Sequence, residues 1–407
     1  MADLSTCPPL TRDSVYQARE LIKSHVHLTP VLTNATLTTL ASTPRSRESL
    51  RGTEWEGREP ARPTVRLWFK CENLQRIGAF KVRGAFHAVE RLKSDRAWVE
   101  GGGMERGVVT HSSGNHAQAL ALAARESGIP AHIVMPEISA APKVAATRGY
   151  GARVIFSGST SVEREAMADR VISETGAALV PPYDHPDIIL GQGTLGLEFQ
   201  EQVARLMDVA AGDDSSSHDL DARFSWAPVL QGDSKVSTGS EAKAKAKGLD
   251  AIVAPCGGGG MLSGVALSCE DTGIRVFGAE PSFEGADDCK RGFETGQLVE
   301  KVSTLTVADG LRTPVGKFPW GVIYERRLVR QMFSVTEDEI KAALRLVLER
   351  MKLVIEPSAA VPLAVVLFNE DFRSMVEKEA GEEGWDVGVV FSGGNVALEN
   401  LGRLFAS

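Results

Sequence analysis

The sequence predicts an α/β protein in which parallel sheets are wrapped by helices. Between residues 107 and 175, short apolar segments alternate with polar, glycine-bearing loops and with helical patterns. The same alternation resumes at the apolar run 249–256 and continues to Phe391. Strands that alternate with helices are typical of parallel sheets. The chain has 407 residues, 43% of them hydrophobic, which is enough for two moderate cores, so we expect two lobes.

Composition excludes several classes of partner. The net charge of -8 is spread without a long block of one sign, and no basic stripe is present, which argues against nucleic-acid and acidic-membrane partners. No run approaches the roughly 20 apolar residues that a membrane-spanning helix needs. Five cysteines, without a Cys-x-x-Cys pair, fit a reducing compartment. We therefore predict a cytoplasmic protein.

Periodicity then predicts the individual elements in chain order. Apolar residues at helical spacing predict helices, and short buried runs predict strands. The first helix, over 11–24, has Thr11 or Asp13 as a candidate cap, and Thr336 with Glu339 forms a capping box. We predict strands over 65–70, 107–111, 129–135, 152–156, 249–256, 275–279 and 387–391, and helices from Lys81 and over 119–125, 141–148, 162–175, 191–209, 265–269 and 337–352.

Two stretches lack this period. Residues 41–64 are rich in Arg, Glu, Gly and Pro, so we predict a surface insertion without function. Residues 212–248 carry many Asp, Ser, Lys and Gly residues, a composition that favours a mobile insertion.

Lys81 is the first candidate functional residue. It follows a strand and a glycine-containing turn and lies near the start of a helix. The positive end of the helix dipole and partial burial both lower the pKa of a lysine, so that a neutral amine becomes accessible. A neutral amine can form a Schiff base. The alternative is a solvated helix lysine, which is the commoner role of a single lysine.

Four consecutive glycines, Gly257 to Gly260, lie between a buried strand and a helix. Glycines alone indicate a linker, but at this position backbone N–H groups can converge on an anion such as phosphate. The pattern is neither the phosphate loop of nucleoside triphosphatases nor the dinucleotide fingerprint. We predict a phosphate site of another kind.

An acidic segment follows the next strand. Glu280, Glu284, Asp287 and Asp288 lie within nine residues, and their oxygens could bind a hard divalent cation. The alternative is a solvated acidic turn without a metal.

Taken together, four motifs resemble those of a known family. They are FKVRGA at 80–85, SSGNHAQ at 112–118, GGGGMLSG at 257–264 and SGGN at 392–395. They resemble the pyridoxal-phosphate enzymes of the tryptophan-synthase-β fold type (fold type II), and among these the serine racemases and the L-serine and L-threonine dehydratases. The resemblance covers nearly the whole chain outside the two insertions and the extreme amino terminus. It fits a large cofactor-binding domain over 1–106 and 185–407 and a small domain over 107–184.

The resemblance implies roles for cofactor-binding residues. Lys81 would bind the cofactor and, once released, act as the base at Cα. Phe80 would pack beside the cofactor, Asn115 would bond its ring hydroxyl, and Ser392 would meet its pyridine nitrogen. The phosphate would be held by Gly257, Gly258, Gly259, Gly260 and Met261. A hydroxyl at position 392 tolerates a neutral pyridine ring, which is a weaker electron sink than a protonated one. A weaker electron sink suits β-elimination better than transamination.

The resemblance also implies substrate contacts. Ser113 would face Cα from the side opposite Lys81, and two bases on opposite faces are what a racemase requires. Alternatively, Ser113 only binds the substrate carboxylate together with Ser112, Asn115 and His116. Arg164 matches a position that can clamp a carboxylate, although its spacing also suits a surface charge.

The acidic loop resembles the divalent-cation site of the family. Glu280, the carbonyl of Ala286 and Asp288 would bind Mg, Ca or Mn. Because the loop is longer here than the shorter loops of the family, Gly285 or Asp287 could substitute.

The resemblance implies an enzyme of amino-acid metabolism, a serine racemase and serine or threonine ammonia-lyase with a homodimeric assembly. A dedicated L-serine or L-threonine dehydratase, or a threo-3-hydroxyaspartate ammonia-lyase, is the alternative. β-Replacement chemistry is disfavoured by the SGGN motif and the acidic loop. A cofactor-holding protein without turnover is disfavoured by the presence of both Lys81 and Ser113.

Overall fold

The computed structural model describes residues 4–112, 114–139, 141–158, 160–212 and 248–405. Ser113 and residues 213–247 of the second predicted insertion lie outside the described residues. Among the described residues, no helix combines the length and the apolar character needed to cross a membrane.

Ten strands and sixteen α-helices form the described parts of the chain. The strands are β1 (Val31–Leu32), β2 (Val65–Cys71), β3 (Val108–His111), β4 (Ala131–Pro136), β5 (Arg153–Ser157), β6 (Ala178–Leu179), β7 (Ala251–Pro255), β8 (Arg275–Pro281), β9 (Gln331–Val335) and β10 (Trp385–Phe391). The helices are α1 (Arg12–Ile22), α2 (Ala35–Ser42), α3 (Lys81–Ser94), α4 (Arg96–Glu100), α5 (Gly103–Arg106), α6 (Asn115–Glu126), α7 (Ala141–Gly149), α8 (Ser161–Thr175), α9 (Pro186–Gly212), α10 (Gly260–Ser268), α11 (Asp288–Thr295), α12 (Lys317–Trp320), α13 (Glu337–Leu346), α14 (Pro357–Phe368), α15 (Glu370–Ala380) and α16 (Leu398–Phe405).

The strands form two sheets. The larger has the order β1-β2-β10-β7-β8-β9, and the smaller has the order β5-β4-β3-β6. Every neighbouring pair is parallel except β1 with β2. The predicted α/β class with parallel sheets and helices is confirmed. The strands of the smaller sheet fall within 107–184, but the domain boundaries themselves remain a prediction.

Helices on both sides explain why the central strands are continuous apolar runs. All seven residues of β10 are buried, and Val389 pairs with Phe69 on β2 and with Val253 on β7. The rings of Phe69 and Phe391 stack at 4.9 Å between centroids. The carboxyl ends of β2 and β10 therefore lie side by side, with Phe391 opposite Cys71.

The predicted helix caps are confirmed. The side chain of Thr11 accepts a hydrogen bond from the backbone N–H of Ser14 at the start of α1. Thr336 and Glu339 form both bonds of the capping box that opens α13. The helical path continues from α13 through a π-helical turn, Val347–Met351, close to the predicted end at 352.

The predicted start of the helix at 191 is wrong, because α9 begins at Pro186. Gly191 and Gly193 are interior residues of α9 and do not form the entry to the helix. Because they lack a side chain, they permit close packing against other helices. A Cβ atom at Gly191 would lie 2.7 Å from the Cα of Gly84 on α3, and one at Gly193 would lie 2.6 Å from the carbonyl oxygen of Gly264 on α10. This contact between helices is not visible in local sequence.

Residues 41–64 were predicted to be a surface insertion, and this is wrong for part of the segment. Leu50, Trp55 and Ala61 are buried. The backbone N–H of Ala61 donates to the carboxylate of Glu370 on α15 at 2.9 Å. Irregular segments carry no period, so the sequence could not indicate which of their side chains contact the core.

Candidate active site

Lys81 is the first residue of α3, as predicted. Its Nζ donates a 2.7 Å hydrogen bond to the carbonyl oxygen of Pro182 and lies 5.2 Å from the centroid of the Phe80 ring. Burial lowers the pKa of Lys81 to about 8, against the opposing effect of the Glu356 carboxylate. Burial thus makes the neutral amine accessible near neutral pH.

The loop after β10 lies beside Lys81. The backbone N–H of Phe80 donates to the carbonyl oxygen of Ser392 at 3.0 Å, and the N–H of Gly394 donates to that of Gly78 at 2.9 Å. Ser392 is buried. The parallel pairing of β2 with β10 therefore brings Lys81 and Ser392 to the same edge of the larger sheet, where active sites of such folds form.

Asn115 connects this edge to the smaller sheet. It is the first residue of α6, which begins four residues earlier than predicted. Its Oδ1 accepts a 2.9 Å hydrogen bond from Asn395, whose amide also donates to the carbonyl of Ile77 at 2.7 Å. Its Nδ2 donates to the carboxylate of Glu356. Three segments distant in sequence meet at this one side chain.

Glu356 is a site residue that the sequence analysis missed. It lies directly before α14, and its backbone N–H donates to the carbonyl oxygen of Gly393 at 3.0 Å. Burial and the charge of Asp309 raise the pKa of this carboxyl to about 7. A lone carboxylate within the otherwise apolar stretch 353–368 was the signal that could have found it.

The glycine loop connects β7 to α10. The helix begins at Gly260, five residues before its predicted start, so the loop is short and ends at a helix amino terminus. The ring of Tyr183 lies against Gly258, where a Cβ atom would approach the ring to 2.3 Å. Because the neighbouring Pro182 accepts the bond from Lys81, the segment 182–183 joins the lysine to the glycine loop. Backbone N–H groups at such a helix start can hold a phosphate. Met261, the second residue of this helix, is buried.

The predicted substrate-binding residues lie around the end of β3. Ser112 follows β3, and its Oγ accepts a 3.3 Å bond from the N–H of Gly114. His116 Nε2 lies 3.1 Å from the carbonyl oxygen of Val180. Burial and the charge of Lys81 lower the pKa of His116 to about 3, so its ring is neutral. The effect of the Lys81 charge shows that His116 lies close to the lysine.

Arg164 lies on α8, near the same strand end. Burial, and next the charge of Arg164, lower the pKa of His111, the last residue of β3. Its charge also affects the pKa of Tyr183. The guanidinium thus lies near His111 and Tyr183, and its role as a carboxylate clamp remains a prediction.

Two of the predicted cation ligands meet at the end of β8. Glu280 belongs to this strand, which is two residues longer than predicted, and its carboxylate accepts bonds from the N–H groups of Cys289 and Lys290 at 3.0 and 2.9 Å. Asp288 accepts a 3.0 Å bond from the N–H of Val315. Burial, and next the charge of Asp288, raise the pKa of Glu280, and burial raises the pKa of Asp288 to about 6. Two buried carboxyls with raised pKa values fit a cation, which would compensate their charge.

The alternative ligands are bound to a neighbouring side chain. Arg291 donates to the carbonyl oxygen of Gly285 at 2.7 Å and to Asp287 at 3.2 Å. Ala286 is buried between them. Arg291 thus already binds an oxygen of each alternative ligand, and the carbonyl of Ala286 as a cation ligand remains a prediction.

A family model described as "Pyridoxal-phosphate dependent enzyme" matches residues 56–213 and 229–393, most of the chain. The chain belongs to this family. Serine racemase of Arabidopsis thaliana is 37% identical over 396 residues, covering 97% of this chain and 96% of the relative. L-threo-3-hydroxyaspartate ammonia-lyase of Saccharomyces cerevisiae is 34% identical and covers 97% of this chain and 96% of the relative.

The fold of this pyridoxal-phosphate dependent enzyme is similar to a solved structure of maize serine racemase. The TM-score is 0.73 at 33% sequence identity, with 97% of this chain and 96% of the other covered. The predicted family is therefore confirmed, and pyridoxal phosphate is its cofactor. The described residues fit this cofactor, since a glycine cradle, a buried lysine of low pKa and the loop of Ser392 lie together.

Proposed function

We propose that this pyridoxal-phosphate dependent enzyme is a serine racemase and serine or threonine ammonia-lyase. It interconverts L- and D-serine and removes the β-hydroxyl group to give a 2-oxoacid and ammonia. The observation that carries the proposal is the buried amine of Lys81, whose pKa is lowered to about 8 beside the glycine loop. Similarity to serine racemases over nearly the whole chain supports it.

Pyridoxal phosphate, when bound, supplies an electron sink for the electron pair that remains when a proton leaves Cα. Lys81 would hold the cofactor, with Phe80 beside it, and Asn115 and Ser392 would contact its ring. Backbone N–H groups of Gly257, Gly258, Gly259, Gly260 and Met261 would hold its phosphate.

Lys81 is the proton carrier on one face of the substrate. A general base works best when its pKa lies near the working pH, and burial lowers the pKa of Lys81 to about 8. The neutral amine takes the Cα proton, and the resulting ammonium can return it. The carbonyl oxygen of Pro182 orients the Nζ atom in this position.

Ser113 serves the opposite face and delivers a proton to Cα, which inverts the configuration. Ser112, His116 and Arg164 bind the substrate carboxylate, with neutral His116 as a hydrogen-bond donor. The same electron pair at Cα can instead expel the β-hydroxyl group, which gives the lyase reaction.

The proposal includes a divalent cation and an assembly. Glu280, the carbonyl of Ala286 and Asp288 would bind Mg, Ca or Mn, which prefer oxygen ligands. We further expect a cytoplasmic homodimer that acts on small amino acids, without nucleic-acid or membrane partners.

A dedicated L-serine or L-threonine dehydratase, or a threo-3-hydroxyaspartate ammonia-lyase, is the second candidate. The near-full-length similarity to the Saccharomyces cerevisiae L-threo-3-hydroxyaspartate ammonia-lyase favours it. In that case elimination would proceed without delivery of a proton from Ser113.

The two candidates are separated by following pyruvate and D-serine together when the purified holoenzyme is incubated with L-serine and Mg²⁺. We expect both products from the wild type and from the matched control Ser173→Ala, whose hydroxyl lies on α8 and bonds the carbonyl of Asp169. Ser113→Ala should lose D-serine and retain pyruvate. Pyruvate alone from the wild type, unchanged by Ser113→Ala, would overturn the racemase proposal in favour of the dehydratase.

A further inference from the structure

Two buried cysteines adjoin Glu280. Cys256 lies between β7 and the glycine loop, and Cys289 is the second residue of α11. Each is 1% exposed, and Glu280 is fully buried. The two sulfur atoms and one carboxylate oxygen of Glu280 all lie within 4.8 Å of one another. The two thiols are also close enough to share a hydrogen bond.

Further acidic side chains lie near this cluster. Asp287 and Asp288 both act on the Glu280 carboxyl. The nearby cationic side chains point elsewhere, since Arg291 bonds Asp287 and Gly285, and the Nζ of Lys290 donates to the hydroxyl of Ser334 at 3.1 Å. A metal ion would supply positive charge beside the carboxyls of Glu280 and Asp288.

The carboxylate is already oriented. Both Glu280 oxygens accept backbone N–H bonds from the start of α11, from Cys289 and Lys290. Hydrogen bonds of this kind orient metal ligands and keep lone pairs directed at the ion. Each carboxylate oxygen retains a lone pair for an ion between Glu280 and the sulfur atoms.

Sulfur ligands select a different class of ion from carboxylates alone. Thiolates bind Zn²⁺-like ions, usually with four ligands at tetrahedral angles, whereas Mg²⁺ and Ca²⁺ require oxygen. Zn–S bonds of about 2.3 Å separate two sulfur ligands by about 3.8 Å. Three donor atoms within 4.8 Å of one another need only a small movement to reach this geometry.

A second cluster of potential ligands, Cys7, His185 and Asp187, has different electrostatics. The sulfur of Cys7 lies 4.0 Å from the ring of His185 and 3.9 Å from Asp187. The guanidinium of Arg91 lies 3.4 Å from the same carboxylate of Asp187. Its positive charge opposes a second cation there, unlike at Glu280.

We propose that Cys256, Cys289 and Glu280 bind a thiophilic divalent cation such as Zn²⁺ or Cd²⁺. On binding, each thiol releases its proton to solvent and forms a metal–sulfur bond, without oxidation or reduction. The site shares Glu280 with the Mg²⁺ site of the proposed function, and the proposal rests in part on the location of that site. Because both sites use Glu280, a thiophilic ion and Mg²⁺ exclude each other. Because Cys256 leads directly into Gly257, the bound ion also holds the start of the glycine loop.

The test uses holoenzyme freed of divalent cations by a chelator and kept in a phosphine reductant. It is titrated with Cd²⁺ while the ultraviolet thiolate-to-Cd²⁺ charge-transfer band is recorded. We expect a saturable band in the wild type and in the matched control Cys269→Ala, another buried cysteine. The band should be lost in Cys256→Ala/Cys289→Ala, and excess Mg²⁺ should shift the wild-type titration to higher Cd²⁺.

Circular dichroism and cofactor absorbance check that the double variant is folded. If it is not, the single variants decide the question, since each should reduce the band by roughly half through the loss of one metal–sulfur bond. An undiminished band in the folded variants, or no band in the wild type, would overturn the proposal. Turnover with Mg²⁺ alone is measured separately, so that failure of the proposed reaction and failure of Cd²⁺ binding are distinguishable.

Discussion

The side-chain amide of Asn115 donates to both carboxylate oxygens of Glu356, at 3.0 and 3.3 Å. Asn115 begins α6, which packs on the smaller sheet, whereas Glu356 precedes α14 of the larger one. Burial and Asp309 raise the pKa of Glu356 to about 7, so the charge at this connection changes near neutral pH.

Glu356→Gln should therefore change the pH dependence of stability. A carboxyl whose pKa is raised on folding stabilises the folded state when it is protonated. This contribution to stability is lost as pH rises from about 4.5 to about 7. By pH 8 the free energy of unfolding of the variant should exceed that of the wild type by about 3 kcal/mol, since one pKa unit corresponds to about 1.4 kcal/mol. Denaturant unfolding of both proteins at pH 5 and pH 8 measures this gain.

The exposed carboxylate Glu382 is the matched control. Glu382→Gln should leave the difference between pH 5 and pH 8 as in the wild type. An equal pH dependence in Glu356→Gln and the wild type would show that Glu356 does not titrate in this range. The activity profile of Glu356→Gln should likewise lack an ionisation near pH 7.

Lys81→Ala should abolish turnover and the visible absorbance of lysine-bound cofactor. Loss of a positioned base typically costs 10²–10⁴-fold, and loss of the group that binds the cofactor adds to this. Lys93→Ala, at the other end of α3, is the control and should remain active. Because the pKa of Lys81 is lowered to about 8, wild-type activity should rise as pH increases toward 8. A Lys81→Ala protein with more than a trace of activity would contradict this assignment.

Arg83→Leu should destabilise the protein by about 3–5 kcal/mol, because it leaves the buried carboxylate of Glu72 without its cationic partner and that of Glu198 with Lys70 alone. Arg83 is fully buried and bonds Glu72 at 2.8 and 2.9 Å and Glu198 at 2.8 Å. Chemical denaturation gives the size of the loss. Arg96→Leu breaks a solvent-exposed pair with Glu100 and should change stability by about 0.5 kcal/mol at most. Similar losses in the two variants would refute the buried network as a source of stability.

The metal-free protein should lose stability as pH rises through about 6. The pKa of Asp288 is raised to about 6 and that of Glu280 is raised well above its usual range by burial, so both carboxyls favour the protonated folded form. Their contribution is complete at low pH and is lost as they ionise. Added Mg²⁺ should restore the melting temperature at pH 8 but have little effect at pH 5.

Asp288→Asn should reduce both the pH dependence and the response to Mg²⁺. Asp208→Asn, which changes an exposed carboxylate on α9, should preserve both. Scanning calorimetry with and without Mg²⁺ makes the comparison. A Mg²⁺ response that persists in Asp288→Asn would place the cation elsewhere.

Local sequence was sufficient where a signal lies within a few residues. The alternation of apolar runs and helical patterns predicted the parallel sheets, and the capping residues Thr11 and Thr336 were recognised from their spacing. Lys81 and the four glycines stood out because a strand, a turn and a helix start are adjacent in the chain. These features depend on local backbone preferences, which sequence reports directly.

Local sequence could not predict contacts between segments that are distant in the chain. The start of α9 was predicted at Gly191 rather than at Pro186, because the packing partners Gly84 and Gly264 lie on other helices. Glu356 was missed because its burial and its bond to Asn115 join residues 241 positions apart.

The sequence by itself determined the fold class and the family, and it predicted Lys81 as the reactive lysine. Tertiary structure alone decided the pKa of Lys81, the raised pKa of Glu356 and the meeting of Cys256, Cys289 and Glu280. The reason is physical. Desolvation and Coulomb interactions depend on which atoms surround a group in space, and that arrangement arises only when the strands have paired and the helices have packed.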